Sequence, residues 1–378
     1  MSLSRREFAK LSALGLAAQL TPRIQAQPQA ATAPPAAADG RKIGYCVIGL
    51  GRIASHFMPA ARSSSTSQIT AVVSGHRDKA ERIAAEYGIP TSSIYNYENM
   101  DAIRDNKSID AVYVALPNSM HAEYTIRSAK AGKHVLCEKP MSTTVADAKA
   151  MIDACKAANV KLMIAYRCHY EPSNLQAVKL IRDGALGQVQ TITSSFGFNI
   201  ARGEWRVNKK LAGGGPLFDV GIYALNATRY LTGEEPSHLS GYTSTITHDG
   251  RFDEVEENTS WATKFPSGIL ATCNCTYGAN MEGIYRVYGT KGWLELTPAF
   301  SYEGLRLRAH YSNGTKGDPG TNIDQLNPER DPIHFVREAD HFSNCIRQNL
   351  TPKTPGEEGL RDMEYIQQIY RSAGVTML

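Results

Sequence analysis

No apolar run in the 378 residues reaches the ~18 needed to span a bilayer, so no membrane-crossing helix is expected. A surplus of one charge is missing as well. Lysines and arginines number 41 against 37 aspartates and glutamates, and no basic cluster lies beyond the N-terminus. Nucleic acid and membrane surfaces are therefore not expected partners. The seven cysteines (46, 137, 155, 168, 273, 275 and 345) are odd in number and lack the spacing of a zinc site, so no metal is expected. Cys273 and Cys275 stand two apart in a strand-like run and share a face, which places them badly for bridging each other. Buried thiols are the expectation. Internal repeats are absent too.

What is present begins with an address. Ser4-Arg5-Arg6-Glu7-Phe8-Ala9-Lys10, followed by an apolar stretch from Leu11 to Leu20, has the order of a twin-arginine export signal. Residues 1–30 are expected to pass through the twin-arginine machinery and be removed, leaving the mature chain in the periplasm. Residues 31–42, rich in Ala and Pro, read as an arm outside any core.

From 43 to about 165, short apolar runs (43–48, 69–74, 110–115, 134–137, 161–165) alternate with helical patterns (53–62, 78–87, 98–104, 120–131, 144–157). That alternation implies a parallel sheet covered by helices on both faces. Beyond 188 strand-like runs follow one another at 188–198, 238–247, 258–265, 268–276 and 283–296, interrupted by one helix pattern at 217–231. The expected fold is α/β, with a doubly wound Rossmann domain over 43–165. An α+β domain with an open, mostly antiparallel sheet follows over 166–350. A C-terminal helix within 351–378 returns to the first domain. For it, Thr354-Pro355-Gly356-Glu357 offers a capping threonine, a first-turn proline and a third-position glutamate.

The first strand runs into Gly49-Leu50-Gly51-Arg52-Ile53-Ala54. Gly49 suits a tight turn, Gly51 a close approach of backbone to a pyrophosphate, and Ala54 close packing of helix on strand. The helix N-terminus offers free N–H groups to the phosphates. The second strand ends Ser74-Gly75-His76-Arg77-Asp78-Lys79, with no carboxylate at its tip to bind a ribose 2′-hydroxyl. Ser74, the Gly75 backbone, Arg77 and Lys79 suit a 2′-phosphate instead, which points to NADP rather than NAD. Arg77 and Lys79 also read as solvated helix-start residues. Two further loops, Leu116-Pro117-Asn118-Ser119 and Glu138-Lys139-Pro140, follow later strands, at the edge where such sheets bind ligands.

Glu138-Lys139-Pro140 together with the glycine turn resembles the Gfo/Idh/MocA oxidoreductases. Ala84-Ala85-Glu86-Tyr87-Gly88, Ile164-Ala165-Tyr166-Arg167-Cys168-His169-Tyr170, Trp205-Arg206, Leu211-Ala212-Gly213-Gly214-Gly215 and Asp219-Val220-Gly221-Ile222-Tyr223 are similar to the glucose–fructose and aldose–aldose oxidoreductase branch. The resemblance covers almost the whole mature chain. It implies tightly held NADP, export, and oxidation of one monosaccharide coupled to reduction of another. It implies a catalytic group of Lys139, Asp219 and Tyr223. It also implies NADP contacts from Gly49 to Ala54, Ser74, Gly75, Lys79, Tyr97, Leu116, Pro117, Asn118, His121, Glu138, Arg167, Trp205 and Arg206. A homodimer or homotetramer through the open sheet is expected. Residues 197–204 and 300–327 depart from glucose–fructose oxidoreductase and are expected to shape the sugar pocket.

Asp219 and Tyr223 are four apart and share a helix face. A tyrosine near pKa 10 needs a nearby cation to accept a proton near neutrality, and Lys139 is expected to supply it. Three other readings stay open: an NAD(P)-dependent glycosidase, a dehydrogenase exchanging free cofactor, and a sugar-binding protein on an enzyme scaffold.

Overall fold

The computed structural model describes residues 40–377, so the export signal and most of the arm lie outside the described residues. Six strands form a parallel sheet: β1 (Ile43–Ile48), β2 (Ser67–Val73), β3 (Ile94–Tyr95), β4 (Ala111–Val114), β5 (His134–Glu138) and β6 (Leu162–Ala165). Their spatial order is β3-β2-β1-β4-β5-β6. Both faces are covered, so β1 is buried at every residue and reads as a continuous apolar run. Ile43, Tyr45 and Val47 pack toward α1 (Ala54–Ser63), together with Ala80 and Ala84 of α2 (Arg77–Tyr87). Cys46 and Ile48 face the layer holding α3 (His121–Lys130) and α4 (Val145–Ala157). The pattern expected as a helix at 98–104 is a 3₁₀ turn, Met100–Asp105.

A helix α5 (Pro172–Arg182) follows, then β7 (Val189–Gly197), the short α6 (Lys209–Ala212) and α7 (Ile222–Thr232). Strands β8 (His238–Ser244), β9 (Asn258–Lys264), β10 (Leu270–Thr276), β11 (Met281–Gly289), β12 (Gly292–Thr297), β13 (Arg306–Tyr311) and β14 (Thr321–Leu326) complete an eight-stranded sheet. Its order is β14-β13-β12-β11-β7-β10-β9-β8, antiparallel except where β7 runs parallel to β10. One face alternates inward against α5 and α7; the other stays exposed, the pattern of an antiparallel sheet with one wet side. The run expected at 283–296 is thus two strands, turning at Thr290-Lys291.

Two helices close the chain, α8 (Ile333–Arg347) on α1 and α9 (Gly356–Ser372) on α4, β6 and β8. Thr354 does not cap α9. Its hydroxyl donates to the Ile164 carbonyl at 2.7 Å while its own carbonyl accepts from Ile164 N–H at 2.8 Å. The residue is used as a partner for the edge of β6, and the helix begins after Pro355 without a side-chain cap.

The helix that carries Tyr223 is locked to α9 by charge. Arg229, 3% exposed, pairs with Glu358 at 2.8 Å and with the fully buried Asp362 at 2.5 Å. Tyr166 and Asn226 donate to the same aspartate. Removing one member of such a pair strands the other, at about 3–5 kcal/mol. Arg229→Met is expected to lower unfolding free energy by that order at pH 8. Burial already raises the Asp362 carboxyl to about 6. Without Arg229 it takes up a proton more readily still, so the loss is smaller at pH 5. Urea unfolding at the two pH values checks this.

Candidate active site

The order β3-β2-β1-β4 reverses direction between β1 and β4, and loops at such a switch point form a ligand crevice. Gly49 makes the turn with φ +89°; a Cβ there would stand 2.5 Å from the Ala115 carbonyl oxygen. At Gly51 a Cβ would meet nothing within 4 Å, which leaves open space beside the backbone. Ala54 opens α1 fully packed beneath the turn. A groove of about 390 Å³ lies over these residues, walled by Gly49 to Ile53, Ser74, His76, Lys79, Tyr97, Ala115 to Pro117 and Glu204 to Arg206. No aspartate or glutamate stands at the end of β2 in this wall, and Ser74 and Lys79 occupy that place. Gly75 backs onto the Tyr97 ring.

The chain's own residues therefore fit a dinucleotide carrying a 2′-phosphate. Two of the expected contacts lie elsewhere. Arg77 points away, holding Glu81 at 2.7 Å on the outer face of α2. His121 is buried, with one ring nitrogen 2.8 Å from the Pro140 carbonyl and the other 2.8 Å from the Leu116 carbonyl. It ties the two ligand loops together from behind. Asn118 does similar work, donating to the Ala212 carbonyl at 2.8 Å.

A second cavity of about 670 Å³ adjoins the groove and shares Arg52, Ile53, Leu116, Trp205 and Arg206 with it. Lys139, Asp219, Tyr223, Glu138, Asn118 and Arg167 all line it. Lys139 leaves β5 through a cis bond to Pro140. Asp219 sits in a π-helical turn, Leu217–Gly221, immediately before α7, a distortion common at functional sites. The Lys139 ammonium donates to the Asp219 carbonyl at 2.7 Å and to its carboxylate at 3.2 Å. Arg206 at 2.9 Å and the Tyr277 hydroxyl at 2.9 Å complete the carboxylate's donors. Burial would raise that carboxyl, but Lys139 and Arg206 outweigh it and hold it below the usual range. Arg206 also reaches Glu204 at 3.3 Å, and Glu204 reaches Arg52 at 3.2 Å. Alternating charge thus runs from the glycine turn across the waist between the cavities to Lys139.

The surroundings of Tyr223 differ from the expectation in one respect. Lys139 stands over the ring face, 4.5 Å from its centroid, and spends its hydrogen bonds on Asp219 rather than on the hydroxyl. Burial pushes the hydroxyl well above 10, and the Arg167 guanidinium is the largest influence opposing that rise. Arg167 is itself 4% exposed, anchored by the Phe300 carbonyl and by Ser301 O at 3.0 Å, and lies 5.4 Å from the Tyr223 ring. Glu138 accepts from the Tyr113 hydroxyl and from Lys139 N–H, and burial raises its carboxyl.

The remaining wall comes from segments expected to shape a pocket, Phe198 and Phe300 to Glu303, and from Phe196, Val220, His56 and Asp331. Sequence reasoning missed His56, Asp331 and Tyr277, and it reached Glu204 only as the end of the 197–204 segment expected to shape the pocket. His56 lies one turn into α1 after the glycine motif, and that spacing was the only available signal.

Residues 43–166 match the model of the oxidoreductase family with an NAD-binding Rossmann fold, and residues 174–295 match the GFO/IDH/MocA C-terminal domain. The chain belongs to the Gfo/Idh/MocA oxidoreductase family. It is 45% identical to the crystal structure of an aldose–aldose oxidoreductase from Caulobacter crescentus, with a TM-score of 0.84 over 88% of this chain and 98% of that one. An NADP-dependent D-xylose 1-dehydrogenase of Haloferax volcanii is 31% identical over 87% of this chain and 97% of its own. Another from Haloarcula marismortui is 29% identical, covering 88% and 91%. As a Gfo/Idh/MocA enzyme the chain has the expected α/β architecture, a parallel NAD(P)-binding sheet joined to a mostly antiparallel one.

Proposed function

We propose that this Gfo/Idh/MocA enzyme is a sugar oxidoreductase that oxidises an aldose at C1 to an aldonolactone and reduces a second sugar to an alditol, with one NADP retained between the two steps. The observation that carries the reading is that Lys139, Asp219 and Tyr223 meet in a cavity whose wall is shared with the glycine-turn groove. NADP, when bound, supplies the nicotinamide carbon that takes the hydride from one sugar and passes it to the other. Tyr223 accepts the C1 hydroxyl proton as the aldose is oxidised. It returns that proton to the carbonyl oxygen of the second sugar, so each turnover is proton-neutral. Lys139 keeps positive charge against the Tyr223 ring and fixes Asp219. Asp219, holding Arg206 and Tyr277, orients the sugar hydroxyls above it. Phe196, Phe198, Trp205 and Tyr302 supply flat apolar walls for a sugar ring.

The same proposal places the protein in the periplasm after twin-arginine export of the folded, loaded chain. It also places a second copy on the exposed face of the eight-stranded sheet. There Tyr242, Leu270, Tyr288 and Leu326 fall on one side by register. The test is purification without added cofactor, followed by anaerobic addition of an aldose and then of a second sugar. Absorbance of the reduced nicotinamide rises and then falls if NADP is retained and shared. Nucleotide lost on purification favours the second reading, a dehydrogenase exchanging free NADP. The similarity to the xylose dehydrogenases supports that alternative.

The raised Tyr223 pKa fixes the sign of the pH dependence. Below that pKa the proton-accepting form grows by about tenfold per pH unit. Aldose oxidation in single turnover is therefore expected to quicken steeply from about pH 6 to about pH 9, the range in which Tyr223 stays protonated at rest. Sugar reduction, in which Tyr223 donates, stays flat over the same range. Rapid-mixing absorbance measures both, and a flat oxidation profile would remove Tyr223 as the base.

A further inference from the structure

A second polar pair faces the same cavity from another wall. His56 of α1 and Asp331, two residues before α8, both line it. His56 Nδ1 lies 2.5 Å from Asp331 Oδ2. The carboxylate is an acceptor, so Nδ1 carries a proton, and in the neutral imidazole Nε2 then keeps a lone pair. Nε2 has no partner among the described residues. The ring cannot turn freely: it stacks on Tyr302 at 4.5 Å and on Phe335 at 5.8 Å.

The contacts order the cavity from one end to the other. Arg167 lies 5.4 Å from the Tyr223 ring and 4.4 Å from the Tyr302 ring, and Tyr302 stacks on His56. One guanidinium and one phenol ring therefore stand between the proton acceptor and the dyad. The ring position opposite C1 of a pyranose is C4, and the neighbouring C5 substituent extends beyond the ring, so a pyranose with its C1 hydroxyl at Tyr223 would have that substituent free to reach another wall of the cavity. The chemistry at C1 makes no use of the dyad.

We propose that His56 Nε2 is a specificity-determining group that accepts a hydrogen bond from the far-end hydroxyl of an aldohexose, with Asp331 as the positioning residue that fixes the imidazole tautomer and orientation. The assignment rests on the sugar reading above. It separates hexoses from pentoses. Glucose brings a C6 hydroxyl to Nε2, whereas xylose lacks it and leaves the nitrogen unpaired in a partly desolvated wall.

The test uses the full enzyme with its retained nucleotide, reduced anaerobically in single turnover by glucose or by xylose. Wild type is expected to react with glucose about tenfold better in rate over half-saturating concentration, the factor for one well-placed hydrogen bond. His56→Phe keeps the stack between Tyr302 and Phe335 and removes both nitrogens. Its preference is expected to fall to within about twofold, by loss on glucose with little change on xylose. Asp331→Asn, which no longer holds one tautomer, falls between the two. Equal rates on both sugars in wild type, an unchanged ratio in His56→Phe, or an equal loss on both sugars would each overturn the assignment. So would loss of the nucleotide from His56→Phe on purification, because the pair would then serve the cofactor. If no sugar reduces the wild-type enzyme, the sugar reading falls and takes the dyad with it. Reduction at an unaltered ratio sinks the dyad alone.

Discussion

Replacing Tyr223 with phenylalanine is expected to lower both half-reactions by about 10²–10⁴-fold while the protein stays folded and loaded with nucleotide. The ring would remain, and with it the contacts to Phe196 and Phe300 at 5.7 and 5.5 Å, the Lys139 ammonium above it, and the packing of α7. Only the hydroxyl is removed, and no neighbour replaces it. Lys139 is committed to Asp219, Arg167 has no proton to exchange at any working pH, and Glu138 is held by Tyr113. The residual reaction would lose its steep rise with pH, because the titrating acceptor is gone. Single-turnover absorbance at several pH values measures both effects. A variant within about threefold of wild type, or one with the same pH slope, would leave Tyr223 as a wall residue only.

Lys139→Met is expected to cost about 10²–10³-fold in aldose oxidation, with retained nucleotide and folding little changed. Methionine fills similar space, and Asp219 keeps Arg206 and Tyr277, so no unpaired carboxylate is left buried. What disappears is the cation over the Tyr223 ring and the bond that fixes the π-turn carbonyl of Asp219. Both make it easier for the phenol to carry negative charge. With the acceptor's pKa raised further, the oxidation rate at saturating sugar falls at every working pH while the slope stays the same. An unchanged thermal melt with nucleotide still bound separates this from misfolding, and an unchanged rate at saturating sugar with weaker sugar binding alone would assign Lys139 to sugar binding instead.

Much of the site was legible because it hangs on short motifs at strand ends. β1, β4, β5 and β6 fall within two residues of the apolar runs, since burial on both faces keeps the middle of each strand apolar. The second sheet was harder. β14 is exposed at nearly every residue and has no alternation to read. α5 begins with Glu171 accepting from Ser173 and Asn174 N–H, an unusual cap, so its start did not look like one. The division of labour around Tyr223 was hidden for a different reason. Lys139 is adjacent in motif, but Arg167 reaches the hydroxyl's neighbourhood from the end of β6. Only the fold shows that both cations lie against Tyr223. His56 and Asp331 meet across 275 residues of chain, beyond any local pattern.

The seven cysteines carry one more consequence. All are buried and unbridged, and burial pushes Cys46, Cys137, Cys155 and Cys273 far from the reactive thiolate form. Nothing but the fold shields them. In an unfolded chain the same seven thiols would be within reach of any oxidant, and wrong pairings among them would be locked in as covalent errors. The protection of these thiols is thus a property of the finished fold, carried by residues that take no part in its chemistry.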